Sequence, residues 1–191
     1  MIPPQKRQWT KEQWRSFFRD TRSALTSVER ERYSTQIQEY AITEVERRRA
    51  TSVLVYLSSP HEVDTKNLIA HLHSAGLSVA TFFTEHDETH MAVLQPGEPL
   101  ISHRGILHPA LPHFIPVNTP MDLAFIPALG LDESGVRLGR GSGHLDRFLA
   151  QTEIGEKIAL VFQTQVTHHL PREIHDISMG MYITENGIHH I

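Results

Sequence analysis

The sequence predicts an α/β fold: a single three-layer domain with a central, mostly parallel sheet. Short β-branched and apolar runs alternate with helical stretches, clusters of turn residues separate them, and no internal repeat or low-complexity linker divides the chain. At 191 residues the chain is long enough to bury a substantial core and falls within the usual span of one domain, taken here as 1–191.

Residues 10–50 read as helical. Thr10 with Gln13 three residues on fits a capping box, and Trp14, Phe17, Phe18 and Leu25 offer an apolar stripe. A break near 23–27 precedes a second helix with Val28, Ile37, Tyr40, Ile42 and Val45 among many charges. It closes on VERRR, where cations meet exposed carbonyls. Arg47, Arg48 and Arg49 suit a solvated helix terminus; a phosphate contact is the alternative.

The run SVLVYL at 52–57 fits a buried strand, and the turn SSPHE leads to a helix over about 64–74. Strands are expected at 77–83 and 91–94. QPGEP marks a turn, and the proline-rich stretch 108–120 reads as loop. DLAFI at 122–126 is strand-like, 143–150 is a short helix, 157–162 is another apolar strand, and MYITENGIHH suggests a final strand with an Asn186-Gly187 turn.

Composition narrows the function. The 18 Lys and Arg against 22 Asp and Glu give a formal charge of -4, which argues against bulk attraction to nucleic acid. No stretch approaches the roughly 18 consecutive apolar residues of a membrane span, and MIPPQKRQWTKEQWR lacks the apolar core of a signal peptide, so the expected location is cytoplasmic. The absence of cysteine removes disulfides, thiol nucleophiles and thiolate metal sites. The 14 histidines do not compensate: His71 and His73 are two apart on a helix, His168-His169 and His189-His190 are adjacent, and none forms HExxH.

The segment 137–147, RLGRGSGHLDR, carries the most chemical information. Gly139, Gly141 and Gly143 permit a tight main-chain curve whose amides, with Arg137, Arg140 or Arg147, could receive phosphate oxygens. A merely permissive turn is the competing reading. The run is neither a P-loop nor a Rossmann fingerprint, because it comes late in a loop and lacks strand–turn–helix framing. Ser142 lies outside nucleophile-elbow spacing. Asp146 could hold Mg²⁺ beside a triphosphate and Arg147 could balance moving phosphoryl charge; otherwise the first caps a turn and the second pairs at the surface.

The same segment resembles the signature of the 5-formyltetrahydrofolate cyclo-ligase family, also called methenyltetrahydrofolate synthetases. The closing stretch VFQTQVTHHLPREIHDISMGMYITENGI is similar to the family's last segment, including Gln165, Pro171, Glu173, His175, Asp176, Thr184 and Glu185. KEQWR resembles its amino-terminal Lys-x-x-x-Arg element, and VYLSSPHEVDTKNLI its strand and loop with a substrate-contacting glutamate. The resemblance implies a compact α/β fold and Mg-ATP-dependent closure of 5-formyltetrahydrofolate to 5,10-methenyltetrahydrofolate, with ADP and phosphate released.

By the same resemblance, Lys11 and Arg15 would contact ATP phosphates. Gly139, Arg140, Gly141, Ser142 and Gly143 would form the phosphate loop. Arg137 and Arg147 would stabilise phosphate charge, and Asp146 would assist Mg²⁺. Glu62, His108, His144 and Leu145 would face a reduced folate. The chain departs from the family pattern in four places: His144-Leu145 replace an aromatic pair, His108-Pro109 stands for Glu-Pro, Phe82 stands near an expected proline, and Arg140 takes the place of a loop lysine. Those departures keep two alternatives open: an ATP-dependent enzyme for another small molecule, or a non-catalytic nucleotide- or folate-binding regulator. No membrane or nucleic-acid partner is expected, and oligomeric state is left open.

Overall fold

The computed structural model describes residues 9–103 and 105–191. The part of the amino-terminal reading that falls on residues 1–8 lies outside these. Two helices open the fold, α1 (Lys11–Ser23) and α2 (Ser27–Arg48), followed by β1 (Ser52–Val55), α3 (Lys66–Ser74), β2 (Ser78–Glu85) and β3 (Glu88–Val93). Next come β4 (Leu100–His103), β5 (Ile106–Pro109), β6 (His113–Ile115), β7 (Met121–Pro127), β8 (Gly130–Asp132) and β9 (Arg137–Leu138). The chain finishes with α4 (His144–Gln151), β10 (Ile154–Leu160), a 3-10 turn (Gln163–Gln165), β11 (Val166–Thr167), β12 (Met181–Thr184) and β13 (Gly187–His190).

Both early helices start at capping boxes. Thr10 with Gln13 and Thr26 with Glu29 exchange side-chain and backbone hydrogen bonds, which satisfies amides that the first turn leaves without partners. Arg49 ends α2 in a left-handed conformation, φ 54°. Arg47 and Arg48 are engaged by Glu44 at 2.8 and 3.1 Å, and Arg48 also by Glu156 at 3.0 Å. VERRR is therefore a helix terminus, as expected, but Arg47 and Arg48 are held there by ion pairs as well as by solvent.

The main sheet runs β13-β12-β10-β7-β1-β2-β3-β6. Its middle, from β12 to β2, is parallel; β13 and β3 join antiparallel, and β6 pairs antiparallel with β3. Successive residues of the inner strands bury on opposite faces. Val53, Val55, Leu123, Phe125, Ile158 and Leu160 pack with α2 and α3, whereas Leu54, Ala124, Ile126 and Ala159 pack with Phe148 and Leu149 of α4. That alternation between two apolar layers makes the three-layer α/β arrangement. No helix among the described residues is long and apolar enough to cross a membrane.

Several local expectations change. The proline-rich stretch contains the end of β5 and all of β6, and the final strand is an antiparallel hairpin whose turn begins at Glu185. Two small sheets, β11-β8-β9 and β4-β5, flank the main one. Helix α1 seats Trp14 and Phe18 against Leu129, Val136, Leu138 and Leu170, which ties it to the β8-β9 side sheet.

Candidate active site

In open α/β sheets, ligands collect beyond the carboxyl ends of strands where the strand order reverses. Here β2 lies on one side of β1 and β7 on the other, so the reversal falls between β1 and β7. A cleft of about 850 Å³ opens there, lined after β1 by Tyr56, Leu57, Ser59 and Glu62 and after β7 by Ala128 and Leu129.

Residues 139–143 form one wall between β9 and α4. The glycine run thus has the strand–turn–helix framing that its sequence context seemed to deny. Its strand is two residues long and begins with an arginine, too short and too polar to register as an apolar run. Gly141 and Gly143 have φ of 112° and 68°, and Gly143 is the N-cap of α4. A side chain at 143 would cost about 1–2 kcal/mol in backbone strain. A Cβ at 141 would also sit 3.3 Å from the Arg15 guanidinium, and one at 143 would sit 3.2 Å from that of Arg147.

Lys11 and Arg15, one turn apart on α1, both line this wall. Arg15 Nε donates to the Gly139 carbonyl at 3.1 Å and its Nη1 pairs with Glu12 at 3.0 Å. Lys11 Nζ contacts both Asp176 oxygens, at 2.7 and 2.8 Å, and lies 3.3 Å from Glu173. Burial pushes the Asp176 carboxyl up, but the bonds from Lys11 and from the Glu173 N–H outweigh it and hold the group below its ordinary value. Glu173, His175 and Asp176 also bring possible metal-ligand atoms within 4.8 Å of one another. The Lys11 ammonium already bridges the two carboxylates, so this cluster supplies its counter-charge.

Arg137 is buried, and its Nη2 lies 2.9 Å from Asp146 Oδ1 as an ion pair. Neither that nitrogen nor Nε makes an aligned hydrogen bond among the described residues. Buried donors left without acceptors are costly, which leaves Arg137 a ready donor pair for an oxyanion. Asp146 Oδ1 also accepts the Ile177 N–H at 3.4 Å. Mg²⁺ takes one or two carboxylates and shares the rest of its shell with water and phosphate oxygens, so a single cleft-facing carboxylate beside a phosphate-shaped loop fits it. Arg147 is exposed and donates to the Ser142 carbonyl at 3.3 Å; it is outside the cleft lining.

Across the cleft, Glu62 Oε2 accepts the Ser59 N–H at 2.9 Å, and Oε1 accepts Arg140 Nη2 at 2.7 Å. Burial pushes the Glu62 carboxyl up, but Arg140 and the Ser59 bonds hold it below its usual range. The Arg140–Glu62 pair ties the glycine loop to the β1–α3 connection. His144 and Leu145 open α4 and line the cleft, with His144 Nε2 3.8 Å from Asp87 Oδ1 on the β2–β3 turn. Phe82 and Phe83 add aromatic walls, Phe82 stacking on Phe148 at 5.4 Å. His108 is not among the lining residues: it is buried and stacks on Phe83 at 4.9 Å, with Nδ1 3.1 Å from the Pro109 carbonyl. Its effect on a ligand would pass through Phe83.

The structure therefore gathers Lys11, Arg15, Glu62, Arg137, the 139–143 loop, His144, Leu145 and Asp146 in one cleft and leaves out His108 and Arg147. Arg22 and the 173–176 segment also line it. Arg22 was missed although its spacing carries a signal: positions 11, 15 and 22 fall on one helical face.

Comparison with known proteins follows the same outline. The model of the 5-formyltetrahydrofolate cyclo-ligase family matches residues 7–185. A 5-formyltetrahydrofolate cyclo-ligase from Haemophilus influenzae is 31% identical over 184 residues, covering 92% of this chain and 95% of that protein. One from Mus musculus is 24% identical over 188 residues, covering 86% and 88%. The NMR structure of a 5,10-methenyltetrahydrofolate synthetase from Aquifex aeolicus superposes with a TM-score of 0.81 at 24% identity, covering 94% of this chain and 92% of that one. The corresponding synthetase from Mycoplasma pneumoniae gives 0.75 at 18% identity, covering 93% and 99%.

Proposed function

The chain belongs to the 5-formyltetrahydrofolate cyclo-ligase family, a family of ATP-dependent ligases, and from that premise we propose that it closes 5-formyltetrahydrofolate to 5,10-methenyltetrahydrofolate, converting ATP to ADP and phosphate. The observation that carries the reading is the convergence of the 139–143 loop, Lys11, Arg15 and the under-bonded Arg137 on one cleft whose far side presents Glu62 and aromatic walls. One end suits a polyphosphate, and the other a flat, hydrogen-bonding ring.

In this mechanism the formyl oxygen on N5 attacks the terminal phosphorus and ADP leaves. N10 then adds to the activated formyl carbon, loses its proton, and the C–O bond breaks to expel phosphate. Phosphorylation turns a poor oxygen leaving group into a good one. Holding N10 against the formyl carbon makes ring closure effectively unimolecular. Lys11 and Arg15 bind the phosphates, and the loop amides with Arg140 and Ser142 cradle them. Arg137 meets the charge that develops as the phosphoryl group moves. Arg147 steadies the loop through the Ser142 carbonyl and adds positive charge from outside. Asp146 would hold Mg²⁺, which supplies charge neutralisation between phosphate oxygens when bound. Glu62, His144 and Leu145 seat the reduced folate, and His108 supports Phe83 from behind.

The test is the rise in near-ultraviolet absorbance that accompanies methenyl-folate formation, with ATP, Mg²⁺, folate and protein omitted in turn. The expected result is a rise that needs all four. ATP binding by a folded protein with no rise would refute the reaction and redirect the search to another small molecule.

A further inference from the structure

Among the described residues, Arg22 is the cleft-lining cation with neither an ion pair nor a side-chain hydrogen bond. It sits in the last turn of α1, is 9% exposed, and leaves Nε without an acceptor. Every other cation of the cleft is engaged: Lys11 by Asp176, Arg15 by Glu12, Arg137 by Asp146 and Arg140 by Glu62. A buried guanidinium nitrogen without an acceptor is costly unless something polar completes it. The open side of Arg22 is the cleft.

Arg22 follows Arg15 by seven residues on the same helical face, about 10 Å along the axis. That offset carries it away from the Arg15–Gly139 contact, and its charged neighbours are Glu62, which favours it, and Arg140 of the loop, which opposes it. Glu62 is its strongest favourable charge neighbour, although no carboxylate oxygen comes within ion-pair range. Both line the same cleft, a donor and an acceptor each with bonding capacity left. The Glu62 oxygens have each accepted one hydrogen bond from a neighbour and retain further lone-pair positions.

We infer that Arg22 contacts the substrate and, with Glu62, reads the carbonyl and N–H edge of the folate's pyrimidinone ring: the guanidinium donates to the C4 oxygen while the carboxylate accepts from N3–H. The assignment rests on the proposed folate substrate. It makes Arg22 a specificity-determining residue, because replacing the 4-oxo group by an amino group turns the acceptor facing Arg22 into a donor; the same change removes the N3–H that Glu62 accepts, so the two residues share the discrimination. Buried polar pairs reject such inversions more strongly than apolar pockets reject a change in size.

The experiment compares 5-formyltetrahydrofolate with its 4-amino-4-deoxy counterpart in the wild type, Arg22→Met and Arg22→Lys, measuring binding of both and turnover of the first. The wild type is expected to favour the 4-oxo compound about 10-fold or more. In Arg22→Met that preference narrows to the part that Glu62 imposes through N3, and KM for the folate rises about 10- to 100-fold, while KM for ATP stays within about twofold. Should thermal melting show that Arg22→Met does not fold, Arg22→Lys decides. It keeps the charge without the planar fork and is expected to lose most of Arg22's share of the preference. A folded variant that retains the wild-type preference and folate KM overturns the assignment, as does a wild type that turns over the folate but does not discriminate. A wild type that binds neither compound overturns the folate reading itself, and is thereby distinguished from a failure at Arg22 alone.

Discussion

Replacing Asp146 by alanine tests both its ion pair with Arg137 and the metal-holding role proposed for it. Its Oδ1 lies 2.9 Å from Arg137 Nη2, with the two side chains 14% and 2% exposed. Removing one partner of a buried pair costs about 3–5 kcal/mol; because Asp146 opens on the cleft, the lower end, about 3 kcal/mol, applies. For a chain of this size each kcal/mol lowers Tm by about 2–4 °C, so a drop of about 6–12 °C is expected. Turnover should fall on the order of 100-fold or more, the scale of losing one charge-stabilising group. Metal-free ATP should bind no more weakly than to the wild type, since Arg137 is released from its carboxylate. Thermal melting, calorimetry with ATP in chelator, and the methenyl absorbance assay read the three quantities. A variant with wild-type Tm and turnover would refute the reasoning. Loss of metal-free ATP binding together with stability would show that Asp146 acts through the fold alone.

Other perturbations test the surrounding framework. Asp132 is fully buried and accepts from the Ser134 N–H and hydroxyl, the Val136 N–H and the Leu170 N–H. Asp132→Ala strands these donors and should cost about 3 kcal/mol or more in urea unfolding; less than about 1 kcal/mol would contradict the assigned network. Glu62 is held below its ordinary carboxyl value in the fold, so its stabilising contribution is complete above the unfolded value and disappears as pH falls through the folded one. The stability difference between wild type and Glu62→Gln should therefore be largest near neutrality and shrink on the acid side; a gap that widens with acid would give the shift the wrong sign. Finally, a Cβ at Gly130 would overlap the fully buried Phe18 ring. Gly130→Ala should cost about 1–3 kcal/mol and raise KM for ATP and folate together by moving α1, whereas unchanged constants would show that α1 does not set the site.

The inner strands were legible because each is apolar on both faces, so SVLVYL and DLAFI stand out whatever surrounds them. β4, β8 and β9 were not: β4 is exposed along its length, β8 and β9 have only three and two residues, and Arg137 opens the last. Within the site, local order revealed the glycine loop, and the family resemblance pointed to Lys11 and Arg15. Arg147 stands apart from its neighbour because adjacent residues on a helix point about 100° apart: it turns to solvent while Asp146 faces the cleft. His108 illustrates the same limit in a strand. Sequence position places it beside the cleft, but only packing reveals that Phe83 stands between.

Helix α1 links the two halves of the proposed chemistry. Its cationic face reaches from Lys11 to Arg22, about 16 Å of axial rise, and so spans the phosphate end and the Glu62 end of the cleft. Its opposite requirement is apolar: Trp14 and Phe18 lock into Leu129, Val136, Leu138 and Leu170, residues flanking the strand that launches the glycine loop. One packed contact thereby fixes the distance between α1 and that loop, and Arg15 completes it by donating to the Gly139 carbonyl. The Arg140–Glu62 bond closes the circuit from the loop to the β1–α3 connection.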